Sequence, residues 1–122
     1  MIKDVTDLNV YQKSLELLPS LYKLTSQLPL SEKDLMYQVR RAAKSISANI
    51  AEGFGKRFFE KEFKRYVLNS LGSSDEVISH LRTISILVPE LQSESDELIL
   101  EYKILSRKLN TLYKHWHFEA SL

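Results

Sequence analysis

The chain has no cysteine, which excludes a disulfide frame, a thiolate metal site and a cysteine nucleophile. Only three glycines and three prolines occur in 122 residues, and that scarcity favours long, uninterrupted helices. No run approaches the roughly 18 consecutive apolar residues of a membrane span, and the opening Met-Ile-Lys-Asp-Val-Thr-Asp has no apolar signal core. A cytoplasmic protein with no membrane partner is therefore expected. Imidazole is scarce as well, with three histidines. No Glu-x-x-His pair of the kind that builds di-metal bundles is present: Glu76 and His80 are four apart, and His115 and His117 diverge on a helix. Ser45, Ser47 and Ser73 have no histidine at a helical spacing that would activate them, and no glycine-framed nucleophile elbow occurs. Gly53-Phe54-Gly55 completes neither phosphate-loop pattern. No metal, no cofactor and no enzymatic activity are expected.

What is present is helical periodicity, and the length fits one domain over residues 1–122. A first helix is expected from about Asp7 to Gln27, capped by Thr6 or Asp7 and kinked or broken near Leu18 by Pro19. It carries two apolar stripes. Leu8, Tyr11, Leu15, Leu18 and Tyr22 form one, and Val10, Leu17, Leu21, Leu24 and Leu28 form another on the opposite side. One face suffices for a monomer, so the second suggests burial against another subunit. A second helix should start at Ser31 and stop at Gly53, and a third should run from Phe58 or Phe59 toward Pro89. Gly72 sits in the middle of that third helix, where glycine costs about 1 kcal/mol relative to alanine. Close approach of another helix, at Ala42, Ala43 or Ala48, is the expected compensation. A fourth helix from Ser93 or Ser95 repeats Leu98, Tyr102, Leu105, Leu109, Leu112 and Trp116 as a heptad seam, with Leu100, Ile104 and Phe118 as a weaker strip behind it. Joined by short connections, these elements predict an all-α, up-down antiparallel four-helix bundle.

The second helix carries a polar stripe beside its apolar one. Leu35, Val39, Ala42, Ala43, Ile46 and Ile50 gather on one face, and Gln38, Arg41, Ser45, Asn49 and Glu52 on its flank. Polar groups placed so regularly beside a core fit bonding to a neighbouring helix, here to Tyr66, Ser73 and Glu76, as a network that fixes helix register. Charge is unevenly spread: residues 31–65 hold nine Lys/Arg against five Asp/Glu, and residues 66–101 hold one against seven. Arg40, Lys44, Arg57, Lys61 and Lys64 could form a band for phosphate contacts. The same polarity would also let basic and acidic surfaces of two subunits attract one another.

In Gln38, Arg41, Ser45, the run Asn49-Ile50-Ala51-Glu52-Gly53, and then Phe63, Tyr66, Gly72-Ser73 and Glu76, the chain resembles the four-helix-bundle proteins encoded in 23S ribosomal RNA intervening sequences. The resemblance extends from Val10-Tyr11 through the fourth helix. It implies a small homopentamer with no enzymatic activity, and it marks Gln38, Arg41, Ser45, Asn49, Glu52, Gly53, Ser73 and Glu76 as a structural motif. A related branch, the accessory proteins of diversity-generating retroelements, forms basic pentameric barrels that bind nucleic acid and a reverse transcriptase. This chain departs from that branch in its net charge of only +1, and from the family in Tyr11, where tryptophan is common, and Ser74, where an apolar residue is usual. The expected partners are further copies of the chain and structured RNA or other nucleic acid; the alternative is an assembly of protein contacts alone.

Overall fold

The computed structural model describes residues 2–117, and Phe118 of the strip behind the fourth helix lies outside them. Five α-helices follow one another: α1 (Asn9–Glu16), α2 (Leu18–Thr25), α3 (Lys33–Phe54), α4 (Glu60–Leu87) and α5 (Gln92–His115). The first two are halves of one rod, broken at Leu17 as Pro19 predicts, with the proline in the first turn of α2 where its missing N–H is harmless. Four antiparallel rods result, the expected up-down bundle: the α1–α2 rod packs on α3 and α5, and α4 closes the square between those two. No strand occurs among the described residues.

Helix ends depart from expectation by a turn or less. Asp4, not Thr6 or Asp7, supplies the first cap: its carboxylate accepts from the Thr6 N–H at 3.0 Å, while Asp7 accepts from the Asp4 N–H, also at 3.0 Å, around a short 3-10 turn at Val5–Asp7. Helix α3 runs through Gly53 to Phe54. Phe59, in extended conformation, precedes α4, and a 3-10 turn at Pro89–Leu91 leads into α5.

The core is continuous along the bundle. Leu21, Leu24, Val39, Ile46, Ile50, Phe63, Val67, Leu81, Ile84, Tyr102, Leu105 and Leu109 are fully buried, each aliphatic side chain worth roughly 1.5–3 kcal/mol. At one end Trp116 of the heptad seam meets Phe63 with ring centroids 4.4 Å apart. Two sequence expectations fail in this packing. The stripe of Val10, Leu17, Leu21 and Leu24 is buried inside the monomer with Leu28 half-buried, so it fills the core instead of awaiting a subunit. Leu15 of the other stripe is the one left 41% exposed. Gly72 is not a close-approach site either, since a Cβ added there meets nothing within 4 Å. That role belongs to Gly53, where an added Cβ would stand 2.5 Å from the Tyr66 Cβ. The buried Gly53 lets α4 approach the last turn of α3.

Candidate nucleic-acid interface

The five basic residues singled out by spacing do not share one surface. Arg40 reaches toward α2, where its Nε donates to Thr25 Oγ1 at 2.8 Å, its Nη2 donates to the Tyr22 carbonyl at 3.2 Å, and its guanidinium lies 4.2 Å from the Tyr22 ring centroid. Those contacts hold α2 against α3 and leave Arg40 little to offer a phosphate. Lys44 is exposed one turn further along α3. It lies level with Ser73, because Ser45 Oγ and Ser73 Oγ are 2.6 Å apart. Lys61 is thus about three turns away along α4, roughly 18 Å. The expected single band is therefore replaced by a cluster of Arg57, Lys61 and Lys64 at the α3–α4 hairpin, with Lys44 separate and Arg40 committed to packing.

The hairpin gathers more than those three. Residues 55–59 turn between the helices, and Lys56 and Arg65 bring two further cations to the Tyr66 ring, 5.0 and 4.6 Å from its centroid. Arg57 stacks between Phe54 and Phe58, at 4.2 and 4.8 Å, while its Nη1 donates to the Phe54 carbonyl at 3.1 Å. Lys64 pairs with Glu60 at 3.4 Å and Arg65 with Glu62 at 3.3 Å. Glu60 also contacts His117 Nδ1 at 3.2 Å. The hydrogen bond with His117, aided by Lys64, holds the Glu60 carboxyl below its ordinary value, and the bonds from Arg65 do the same for Glu62. Phe58 is 58% and Phe59 69% exposed. Neither phenylalanine belongs to the band expected from the sequence, although both stand beside Lys56, Arg57 and Lys61 in the chain.

The polar stripe of α3 meets α4 in part. Ser45 reaches Ser73, and the Tyr66 hydroxyl donates to Glu52 at 3.0 Å. The buried Ser70 hydroxyl donates to the Ile46 carbonyl at 2.9 Å, a bond the stripe did not announce. Asn49 turns back onto its own helix, donating to the Ser45 carbonyl at 2.9 Å. Glu76 contacts His80 on α4 at 3.1 Å, and among the described residues the exposed side chains of Gln38 and Arg41 have no hydrogen-bond or ionic partner. The expected buried network is thus two cross-helix contacts at a half-exposed seam plus one buried serine.

Among the described residues no group of three or more His, Cys, Asp or Glu is placed to hold a metal ion, and no helix is long and apolar enough to cross a membrane. Tyr102 is buried with no partner for its hydroxyl among the described residues, and that burial raises its pKa, so it stays neutral. The family model described as 23S rRNA-intervening sequence protein matches residues 6–111. No curated protein matches the chain.

Proposed function

The chain belongs to the 23S rRNA-intervening sequence protein family, and from that membership we propose a non-enzymatic, cytoplasmic helical bundle that assembles with copies of itself, as a pentamer by the resemblance noted above, and binds structured RNA. The observation that carries the reading is the hairpin end. Lys56 and Lys61 flank Phe58 and Phe59, both more than half exposed, and Arg57 lies against the Phe58 ring. Cations neutralise phosphates and release counterions, while exposed rings give unpaired bases a face to stack on. Assembly draws support from α5, where Leu100 is 63% and Ile104 39% exposed on the side away from the core.

The same exposed residues support a second reading, an assembly of protein contacts in which the basic hairpin of one copy meets an acidic surface such as Glu94, Asp96 and Glu97 of another. One experiment separates the two. RNA binding is measured at two salt concentrations, with oligomer mass by light scattering, for the parent and for Phe59→Ser combined with Lys61→Glu. The RNA reading expects parental affinity that falls steeply with salt, lost in the variant at unchanged mass; each phosphate contact removed lowers the salt slope by about 1. Loss of mass in the variant with no parental RNA binding moves the function to protein assembly.

A further inference from the structure

We propose that the groove between α4 and α5 is an anion site for a phosphate-bearing ligand, distinct from the hairpin. The groove has a volume of about 490 Å³ and is lined by Arg82 from α4 and by Lys103 and Arg107 from α5, which is within the size range of small-molecule sites. These three side chains have no ion pair or hydrogen bond among the described residues, in contrast to Lys64 and Arg65 at the hairpin, each matched by a glutamate. Lys103 and Arg107 stand four residues apart on one helix, a spacing at which like charges repel. Arg82 brings a third positive charge to the opposite wall. Such a cluster is at its most favourable when an anion sits among its members.

The groove holds one carboxylate against three cations, so two positive charges remain unmatched. Asp75 accepts a hydrogen bond from the Ser106 hydroxyl at 2.8 Å and forms no ion pair with the cations. Ser106 is itself 2.8 Å from Ser74 Oγ, which is buried and lies 3.2 Å from the Tyr102 carbonyl. Ser106, which lines the groove, is therefore held in place from behind by the buried Ser74, and Leu71 and Ile78 add apolar surface to the lining. Two guanidiniums offer forked donors matched to phosphate oxygens, and Asn110 adds an amide donor at the rim. The apolar flank gives room for a sugar or base. Asp75 lies about 14 residues along α4 from Lys61, roughly 21 Å, so the groove neither rests on the hairpin reading nor falls with it.

Binding of inorganic pyrophosphate and of a fluorescent twelve-nucleotide oligouridylate is to be measured by calorimetry and anisotropy for three proteins: the parent, Arg82→Gln with Arg107→Gln, and the hairpin variant Phe59→Ser with Lys61→Glu. The parent should bind pyrophosphate saturably. The groove variant, whose substituted side chains are exposed, should melt like the parent and bind at least tenfold more weakly, whereas the hairpin variant should bind pyrophosphate as the parent does. Pyrophosphate binding without oligonucleotide competition assigns the groove to a free phosphate compound; competition between the two assigns it to a nucleic-acid backbone. Absence of saturable binding of both probes to the parent, undiminished binding by the groove variant, or equal displacement of pyrophosphate by a glutamate-rich peptide would overturn the proposal.

Discussion

Gly53 and Gly72 lie on neighbouring helices of one antiparallel pair, yet their surroundings are opposite. Gly53 is buried where α3 and α4 touch, and Gly72 is exposed on the outside of α4 beside Leu68, itself 46% exposed. At the seam, space is the scarce quantity, and a missing side chain lets two backbones close. On the outer face space is abundant, and the missing side chain only adds freedom to the unfolded chain. One glycine is thus held by sterics, and the other has no packing reason among the described residues.

Replacing Gly53 should break the seam and give the largest effect. An alanine Cβ there would face the Tyr66 Cβ at 2.5 Å, and that atom is anchored to the α4 backbone, so the helices must move apart. Overpacking of this kind costs about 1–3 kcal/mol, and the gain in helix propensity of about 1 kcal/mol offsets only part of it. Gly53→Ala should therefore lower the melting temperature by several degrees, at roughly 4 °C per kcal/mol for a chain of this size. A variant that melts at or above the parent would show that Tyr66 yields easily.

At Gly72 the sign should reverse. With nothing within 4 Å of the added Cβ, Gly72→Ala should raise stability by up to about 1 kcal/mol. Thermal melts paired with light scattering sharpen the contrast between seam and outer face. A lower melting temperature together with a smaller assembly would mean that another copy packs against this spot, which would give the second glycine an intermolecular reason.

The rods and the Pro19 break were legible because each rests on local rules: apolar spacing, a missing donor, short connections. So was the seam that sets the polar flank of α3 against Tyr66 and Ser73, since helix flanks follow from periodicity, though not which side chain pairs with which. Which stripe of the first rod faces inward was not legible. Val10, Leu17, Leu21 and Leu24 compete with Leu15, Leu18 and Tyr22 on equal hydropathy, and only the positions of α3 and α5 decide the matter. The cations were opaque for a similar reason. Arg40 and Lys44 look alike in sequence, but Thr25 and the Tyr22 ring capture one and leave the other in solvent. Arg82, Lys103 and Arg107 are spread over two helices, so no spacing within either announces their groove. Gly72 misled because its cost within a helix is local, whereas its compensation depends on neighbours that a sequence does not place.

The smallest expected effect separates the seam from the hairpin by pH. In the middle of the seam, away from the Glu52–Tyr66 contact at its hairpin end, the Ser45–Ser73 contact and the Ser70–Ile46 bond involve hydroxyls that do not titrate in acid. At the hairpin, Glu60 is held below its ordinary 4.5 by hydrogen bonding to His117 and by Lys64, and Glu62 by Arg65. A carboxyl whose folded value is depressed contributes stability that is fully present above its unfolded value and is lost as pH falls through the folded one. The hairpin contribution should therefore be complete above about pH 5 and fade below 4.5 toward still lower pH. Both carboxylates are exposed to solvent, so screening keeps the effect small. The check is urea unfolding at pH 6 and pH 3.5 for the parent and for Glu60→Gln combined with Glu62→Gln. The parent should lose more stability between those two conditions than the variant, which no longer has the two protons to take up. Equal losses would place the acid sensitivity elsewhere in the chain, with Asp4 and Asp7 of the amino-terminal cap next in line, because the Thr6 hydroxyl and backbone donors lower the Asp4 carboxyl and the backbone N–H groups of Lys3 and Asp4 lower that of Asp7.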